Sequence, residues 1–361
     1  MKLSVVVGGQ YGSEGKGAVA GHLAARSEQP VVAIRVAGPN AGHTVYGRCP
    51  GQVCGLQDGH LDSLPVGEGH PWKLRQVPVA AVTRPDAVLV IAAGSEVDLA
   101  VLEAEVAALD SAGYDASSRL MVDFQASVID PGFLESEAEL VARIGSTGKG
   151  VGKTRAARIM RTCDLYGTRR RWAVRDAWQA IAGPVHVIVE GTQGYALGLH
   201  AGWYPYCTSS DCRAIDFMSM AGIPPQAADV WVVLRTWPIR VAGTSGPMHQ
   251  EVTWDVVGQP VERTTVTNKV RRVGRWDRDL ARAAVKANGR CKVALTMVDY
   301  DLPFLAGETG SYGAWAAAAG MTYGPGIDPV VLAEKYLATV ESDCGAPIRL
   351  VGTGPDTILE R

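Results

Sequence analysis

Lysine is scarce in this chain, with nine in 361 residues. Four of them, Lys16, Lys149, Lys153 and Lys269, stand in glycine- or threonine-containing segments, a placement that points to phosphate chemistry. A surplus of positive charge is also missing: 35 basic against 37 acidic residues give a net charge of −2. That balance excludes a global basic field for a nucleic-acid backbone and leaves small anions as partners. No apolar run approaches the roughly 20 residues that span a bilayer, so no membrane partner is expected. The opening MKLSVVVGGQ runs into glycines after a short apolar stretch and lacks a secretory h-region. A disulfide framework is absent as well. The seven cysteines (Cys49, Cys54, Cys163, Cys207, Cys212, Cys291 and Cys344) are odd in number and irregularly spaced, which predicts reduced thiols and a cytoplasmic setting. Cys49/Cys54 and Cys207/Cys212 could each form half of a zinc site, but no histidine pair with finger-like spacing completes one.

What is there is globular: 47% hydrophobic residues, and 42 glycines spread along the whole chain. Leu3–Val7, Val31–Val36, Ala87–Ala92, Val185–Glu190, Val230–Leu234 and Val293–Val298 are nearly continuously apolar and predict buried strands. Asp98–Ala112 places Leu99, Leu102, Val106 and Leu109 on one helical face. Asp277–Asn288 and Asp328–Ser342 show similar patterns, the latter opening on the cap-like pair Asp328–Pro329. Such alternation predicts an α/β fold with a single large, mostly parallel sheet flanked by helices. No repeat or linker divides the chain, so one domain over residues 1–361 is expected.

Several segments carry chemistry. Gly8-Gly9-Gln10-Tyr11-Gly12-Ser13-Glu14-Gly15-Lys16-Gly17 follows the first strand and precedes a helical pattern. Its glycines let backbone N–H groups curl around an anion, the helix N-terminus adds its dipole, and Lys16 adds a point charge. It is like a P-loop without being a Walker A loop: the spacing before Gly15-Lys16 is one residue too long, and Gly17 replaces the metal-binding hydroxyl. Gly38-Pro39-Asn40-Ala41-Gly42-His43-Thr44 again follows a strand and offers a histidine suited to proton transfer or to bonding a phosphate oxygen. Gly145–Lys153 reads either as a second phosphate-friendly stretch or as a solvated basic loop. Glu190-Gly191-Thr192-Gln193-Gly194 offers an amide able to read a purine edge, and Tyr204–Ser210 offers hydroxyls. Thr264–Arg272 is a polar cationic loop able to clamp carboxylates, and Thr296–Asp299 and Gly352–Pro355 each close a strand.

In this order, from Leu3 to Pro355, the set GSEGKG, NAGHT, STGKG, EGTQG, YPYCTSS and TGP resembles the adenylosuccinate synthetase family. The resemblance implies the family's P-loop-NTPase-like sheet fold, a homodimer, magnesium, and a two-step ligation. The γ-phosphate moves to O6 of a purine nucleotide, and the amine of L-aspartate then displaces it at C6. It further implies that Gly12, Glu14, Gly15, Lys16, Gly17, Gly42, His43 and Thr44 hold the triphosphate, joined by Arg271, Met297, Asp299, Gly352, Thr353 and Gly354. Ser13, Asn40, Thr147, Gln193, Thr208 and Lys269 are implied in purine-nucleotide binding, with Arg161 reaching the nucleotide phosphate from a neighbouring subunit. Thr265, Val266, Thr267, Lys269 and Arg271 resemble the aspartate loop. Ser13, Lys16, His43 and Gln193 are the expected catalytic set, and Ser13 and Gly42 the expected magnesium ligands.

The chain also departs from the family pattern. Ser13 replaces an aspartate that removes the purine N1 proton, Met297 replaces a lysine that contacts guanine, and the Asn268–Arg271 loop is less arginine-rich than usual. The chain is also shorter than typical bacterial members, between Arg170 and Glu190. Serine in the first loop is shared with a bacteriophage branch that acts on dGMP and makes N6-succino-2-amino-2′-deoxyadenylate. The expectation is therefore a cytoplasmic dGMP–aspartate ligase (in a host cytoplasm if phage-encoded), with ATP or dATP favoured over GTP as phosphate donor. Two alternatives stay open: an ordinary synthetase acting on IMP with GTP, and a nucleotide-binding protein that has lost its chemistry at Ser13.

Overall fold

The computed structural model describes residues 1–36, 38–48, 56–57, 60–61, 69–264, 268–322 and 328–361. Its centre is the strand Lys2–Gly8 (β1), in which Leu3, Val5 and Val7 face one side and Val6 the other. Two-residue periodicity with both faces apolar marks a strand covered by helices on both sides. The same division recurs in Val31–Arg35 (β2), His186–Glu190 (β6), Asp229–Arg235 (β7) and Cys291–Thr296 (β8). With Val88–Ile91 (β3), Leu120–Asp123 (β4), Ala173–Val174 (β5), Gly310–Ser311 (β9), Ile348–Gly352 (β10) and Ile358–Glu360 (β11), they form one 11-stranded sheet. Its order is β5-β4-β3-β2-β6-β1-β7-β8-β10-β11-β9. Every neighbouring pair among the described residues is parallel except β10 with β11.

One face is covered by the helices Lys16–Ala25 (α1) and Leu99–Ser111 (α2), through Val19, Ala20 and Ala24 on the first and Leu102, Val106 and Leu109 on the second. Ala214–Met220, Arg278–Asn288 and Pro329–Cys344 cover the opposite face. Local signals start these helices: Asp98, Asp277 and Asp328 each accept a backbone N–H from the first turn, and Pro329 supplies the preset φ of a first helical residue. The strand expected over Val293–Val298 stops at Thr296, because Met297 turns into the left-handed region at φ 56°. No helix among the described residues is long and apolar enough to cross a membrane.

The parallel order decides where ligands go. The loops after β1, β2, β6, β7, β8 and β10 all leave the carboxyl ends of parallel strands, where open α/β sheets bind ligands.

Candidate active site

The first loop is built around a buried carboxylate. Glu14 is turned inward, and its Oε1 accepts the backbone N–H of Gln10 (3.0 Å) and of Gly12 (2.8 Å). Its Oε2 accepts from Lys16 Nζ at 2.6 Å, with both side chains buried. Thr296 Oγ1 holds the Glu14 carbonyl at 2.7 Å, fastening the loop to the end of β8. Glu14, expected at the triphosphate, thus spends both oxygens holding the loop and Lys16. The loop presses against the Gly191–Gly194 turn. A Cβ on Gly194 would lie 2.5 Å from the Gln10 carbonyl oxygen and the Gly12 nitrogen, so this position has no room for a side chain.

Helix α1 starts at Gly15, in the left-handed region at φ 88°, with no side chain capping it. Its first N–H groups are therefore left to an anion. The helix Val151–Met160 behaves differently. Glu137 takes the N–H groups of Gly150 (2.8 Å) and Lys153 (3.2 Å), which leaves Gly145, Ser146 and Thr147 as that segment's contribution to the cleft. The two loops with phosphate-like sequences thus differ: the first is open at its helix, and the second is closed by its own carboxylate.

His43 is buried, and a Cβ on Gly17 would lie 2.8 Å from the His43 Cβ; glycine there lets the histidine stand against the start of α1. Its Nδ1 lies 2.5 Å from Glu190 Oε1 and 2.8 Å from Arg35 Nη1, which also donates to Glu190. A carboxylate only accepts, so the nearer partner, Glu190, takes the His43 proton from Nδ1, and Arg35 Nη1, which only donates, is directed to the same carboxylate. Nε2, buried and without a partner, is the nitrogen left over on a residue that lines the cleft. Burial first, then the Arg35 charge, pushes the imidazole down to about 4. Burial alone would raise the Glu190 carboxyl, but Arg35 and His43 outweigh it and hold it below the usual range. Negative charge arriving from a triphosphate opposes the effect of Arg35 and favours the imidazolium, which donates from Nε2.

These groups open into a cleft of about 690 Å³, a suitable size for nucleotide ligands. Among the described lining residues, Lys16, Lys73, Arg263, Lys269 and Arg271 are cationic, and Glu262 is the single carboxylate. Such an excess of cations suits anionic ligands. Ser13, Gln193, Asn268 and Met297 all line the cleft with non-glycine left-handed backbones, at φ 60°, 61°, 51° and 56°. Each such conformation costs about 1–2 kcal/mol, and strain of this kind gathers at functional sites.

Of the other expected residues, Gly12, Gly15, Gly17, Asn40, Gly42, Thr44, Thr147, Gly352 and Gly354 also line the cleft. Thr208 stands aside, in a small recess shared with Asn40 and Gln193. Thr353 is buried behind the wall, donating to the Glu308 carbonyl at 2.6 Å. One Asp299 carboxylate oxygen is buried without a hydrogen-bond partner, and burial raises its pKa. Arg161 lies outside the cleft, exposed, at the left-handed end of its helix. Thr265, Val266 and Thr267 lie outside the described residues, as do Cys49 and Cys54. The cysteines Cys163, Cys207, Cys212, Cys291 and Cys344 are free, and no metal-holding group of three or more His, Cys, Asp or Glu residues occurs among the described residues.

Arg35, Glu190, Arg235 and Glu262 belong to the site although no role for them was legible in the sequence. Arg35 and Arg235 end apolar strands, a charge at the carboxyl edge of a buried run, and that was the available signal. Magnesium needs oxygen donors, and the exposed Ser13 and the Gly42 carbonyl are among the neutral ones the two loops bring to the cleft. They fit an ion whose remaining partners are phosphate oxygens and water.

An α/β sheet whose strand ends present an uncapped helix start, a carboxylate-held histidine and a cationic cleft defines a nucleotide-dependent enzyme. The family model for adenylosuccinate synthetase matches residues 5–171 and 164–302, and the chain belongs to that family. It is therefore a carbon–nitrogen ligase that uses aspartate, a purine nucleotide and GTP or a similar nucleoside triphosphate. The adenylosuccinate synthetase of Methanococcus aeolicus is 33% identical, covering 99% of this chain and 98% of the relative. That of Archaeoglobus fulgidus is also 33% identical, over 99% and 96%. The structure of cyanophage S-2L succinoaminodeoxyadenylate synthetase, bound to dGMP and to dATP as an energy donor, is similar with a TM-score of 0.76 and 26% identity, covering 99% of this chain and 95% of that one. The fold is also that of Plasmodium falciparum adenylosuccinate synthetase, at a TM-score of 0.75 and 19% identity over the full length of both chains.

Proposed function

We propose that this ligase joins L-aspartate to C6 of dGMP, giving N6-succino-2-amino-2′-deoxyadenylate, with ATP or dATP as phosphate donor. The observation that carries the reading is Ser13. It stands exposed in the cleft where the resemblance expects a carboxylate, and Glu14 beside it is committed to the loop interior. A serine hydroxyl is no base at neutral pH without an activating partner. It is short and can accept a hydrogen bond from the 2-amino group that guanine carries beside N1 and hypoxanthine lacks. The cyanophage structure with dGMP and dATP supports the same reading.

In the first step the γ-phosphoryl group passes to O6 of the purine, the nucleoside diphosphate leaves, and the N1 proton is released to solvent water in the open cleft. In the second, the aspartate amine attacks C6 and expels phosphate. His43 donates from Nε2 to the transferring phosphoryl group, Lys16 neutralises phosphate charge, and Gln193 reads the purine edge. Lys269 and Arg271, with 265–267, receive the aspartate carboxylates. Ser13 and Gly42 would hold magnesium, which would supply charge neutralisation at the phosphates. Arg161, with Ile159 and Met160 each 70% exposed beside it, supports a homodimer in which a second subunit covers this helix end.

IMP as acceptor is the second reading, favoured by the archaeal relatives, which are named adenylosuccinate synthetases. Mass spectrometry of the product made from dGMP and isotope-labelled aspartate tests the proposal. A labelled succino-nucleotide is expected, and phosphate release without that adduct would contradict it.

A further inference from the structure

The conformation of Ser13 is tied to the distant segments 263–264 and 268–271 by one ion pair between a buried arginine and a half-buried carboxylate. Arg235 ends β7 with its side chain 1% exposed. Its backbone N–H donates to Gln10 Oε1 at 3.0 Å and its carbonyl accepts from Gln10 Nε2 at 3.1 Å, so the first loop is stapled to this residue. Its guanidinium Nη1 then donates to the Ser13 carbonyl at 3.2 Å. Both terminal nitrogens also reach the Glu262 carboxylate, at 2.5 Å and 3.3 Å. Glu262 sits at the foot of a hairpin. Its carbonyl accepts the Arg271 N–H at 2.9 Å, next to the Arg263–Val270 bridge. Tyr300 donates to the same carboxylate at 3.3 Å.

We propose that Arg235 and Glu262 are positioning residues that hold Ser13 in its left-handed conformation and couple it to the hairpin that carries Lys269 and Arg271. This rests on the reading of Ser13 as the residue that meets the purine base. The physical reason is geometric. A non-glycine residue at φ 60° relaxes unless something holds its peptide, and a side-chain hydrogen bond to its carbonyl comes from Arg235. A carboxylate in a cationic cleft that receives anions weakens their binding unless it serves another purpose. Glu262 serves one, by fixing the planar fork of Arg235 with two contacts. A shift of the hairpin stem when aspartate arrives passes through Glu262 and Arg235 to the Ser13 peptide.

The test is a double-mutant cycle on nucleotide choice. kcat/KM for dGMP and for IMP is measured at saturating aspartate in the native chain, Glu262→Gln, Ser13→Gly and the double variant. Glu262→Gln should collapse the dGMP:IMP ratio by about fivefold or more and raise the KM for aspartate. In the Ser13→Gly background, where no side chain remains to be aimed, the same substitution should change the ratio by less than about twofold. Arg235→Lys keeps the charge but loses the fork, and it should shift the ratio in the same direction with a native-like melting temperature. A lowered kcat at an unchanged ratio, or additive effects in the cycle, would overturn the coupling. A native preference for IMP would instead overturn the nucleotide assignment, and the cycle then reads the coupling on the IMP:dGMP ratio.

Discussion

Nδ1 of His43 and Oε1 of Glu190 lie 2.5 Å apart, and this contact fixes which nitrogen of the histidine is left for the cleft. Arg35 completes the group by donating to the same carboxylate. A donor aimed at developing charge in a dry site is worth several kcal/mol. His43→Ala should therefore lower kcat by about two orders of magnitude or more while the chain still folds. Steady-state phosphate release together with circular dichroism checks this, and near-native turnover would remove His43 from the chemistry.

Glu190→Ala should behave differently. It leaves the fully buried Arg35 without its counter-charge, and an uncompensated buried charge costs about 3–5 kcal/mol. Urea unfolding should show that loss, whereas the same measurement on His43→Ala should show a much smaller one.

His186 gives a pH dependence of stability. It is held between Ser4 Oγ at 2.9 Å and Ser27 Oγ at 3.1 Å. Burial, and then the Lys2 charge, pushes its pKa from 6.5 to about 4. The unfolded chain takes up this proton near pH 6.5 and the folded chain only near 4. Stability is therefore full above pH 6.5 and falls as the pH drops towards 4, by up to roughly 3 kcal/mol from this residue. Denaturant midpoints at pH 7 and pH 5 should differ, and by less in His186→Asn. An equal pH slope in both proteins would contradict the assignment.

The phosphate donor divides Met297 from Asp299. Met297 lines the cleft with an apolar, polarisable surface that has no preference for the guanine O6 acceptor. Asp299, with its unpartnered buried oxygen, could meet the N1 and N2 donors of guanine. ATP or dATP should support turnover at least as well as GTP when each is supplied at equal concentration. Strict GTP dependence would assign the choice to Asp299.

The sheet was legible in the sequence because its strands are buried on both faces, and β-branched runs such as Val31–Ile34 and Val230–Leu234 admit little else. The Asp98, Asp277 and Asp328 helix starts were equally local. The site was legible as motifs but not as contacts. That Glu14 faces inward, and that Glu137 closes the second basic segment, depends on partners brought together by folding. Arg35–Glu190 and Arg235–Glu262 are separated by 155 and 27 residues, and no period or spacing connects them.

On the proposed function, Ser13 marks an acceptor with a 2-amino group. This claim is tested most directly by initial rates with dGMP and with IMP, at saturating aspartate and donor, in the native chain and in Ser13→Asp. A buried polar group left unpaired costs about 1–3 kcal/mol, so the native chain should prefer dGMP by roughly fivefold to a hundredfold. Ser13→Asp should move that preference towards IMP. Turnover of IMP by the native chain equal to or faster than that of dGMP would contradict the claim.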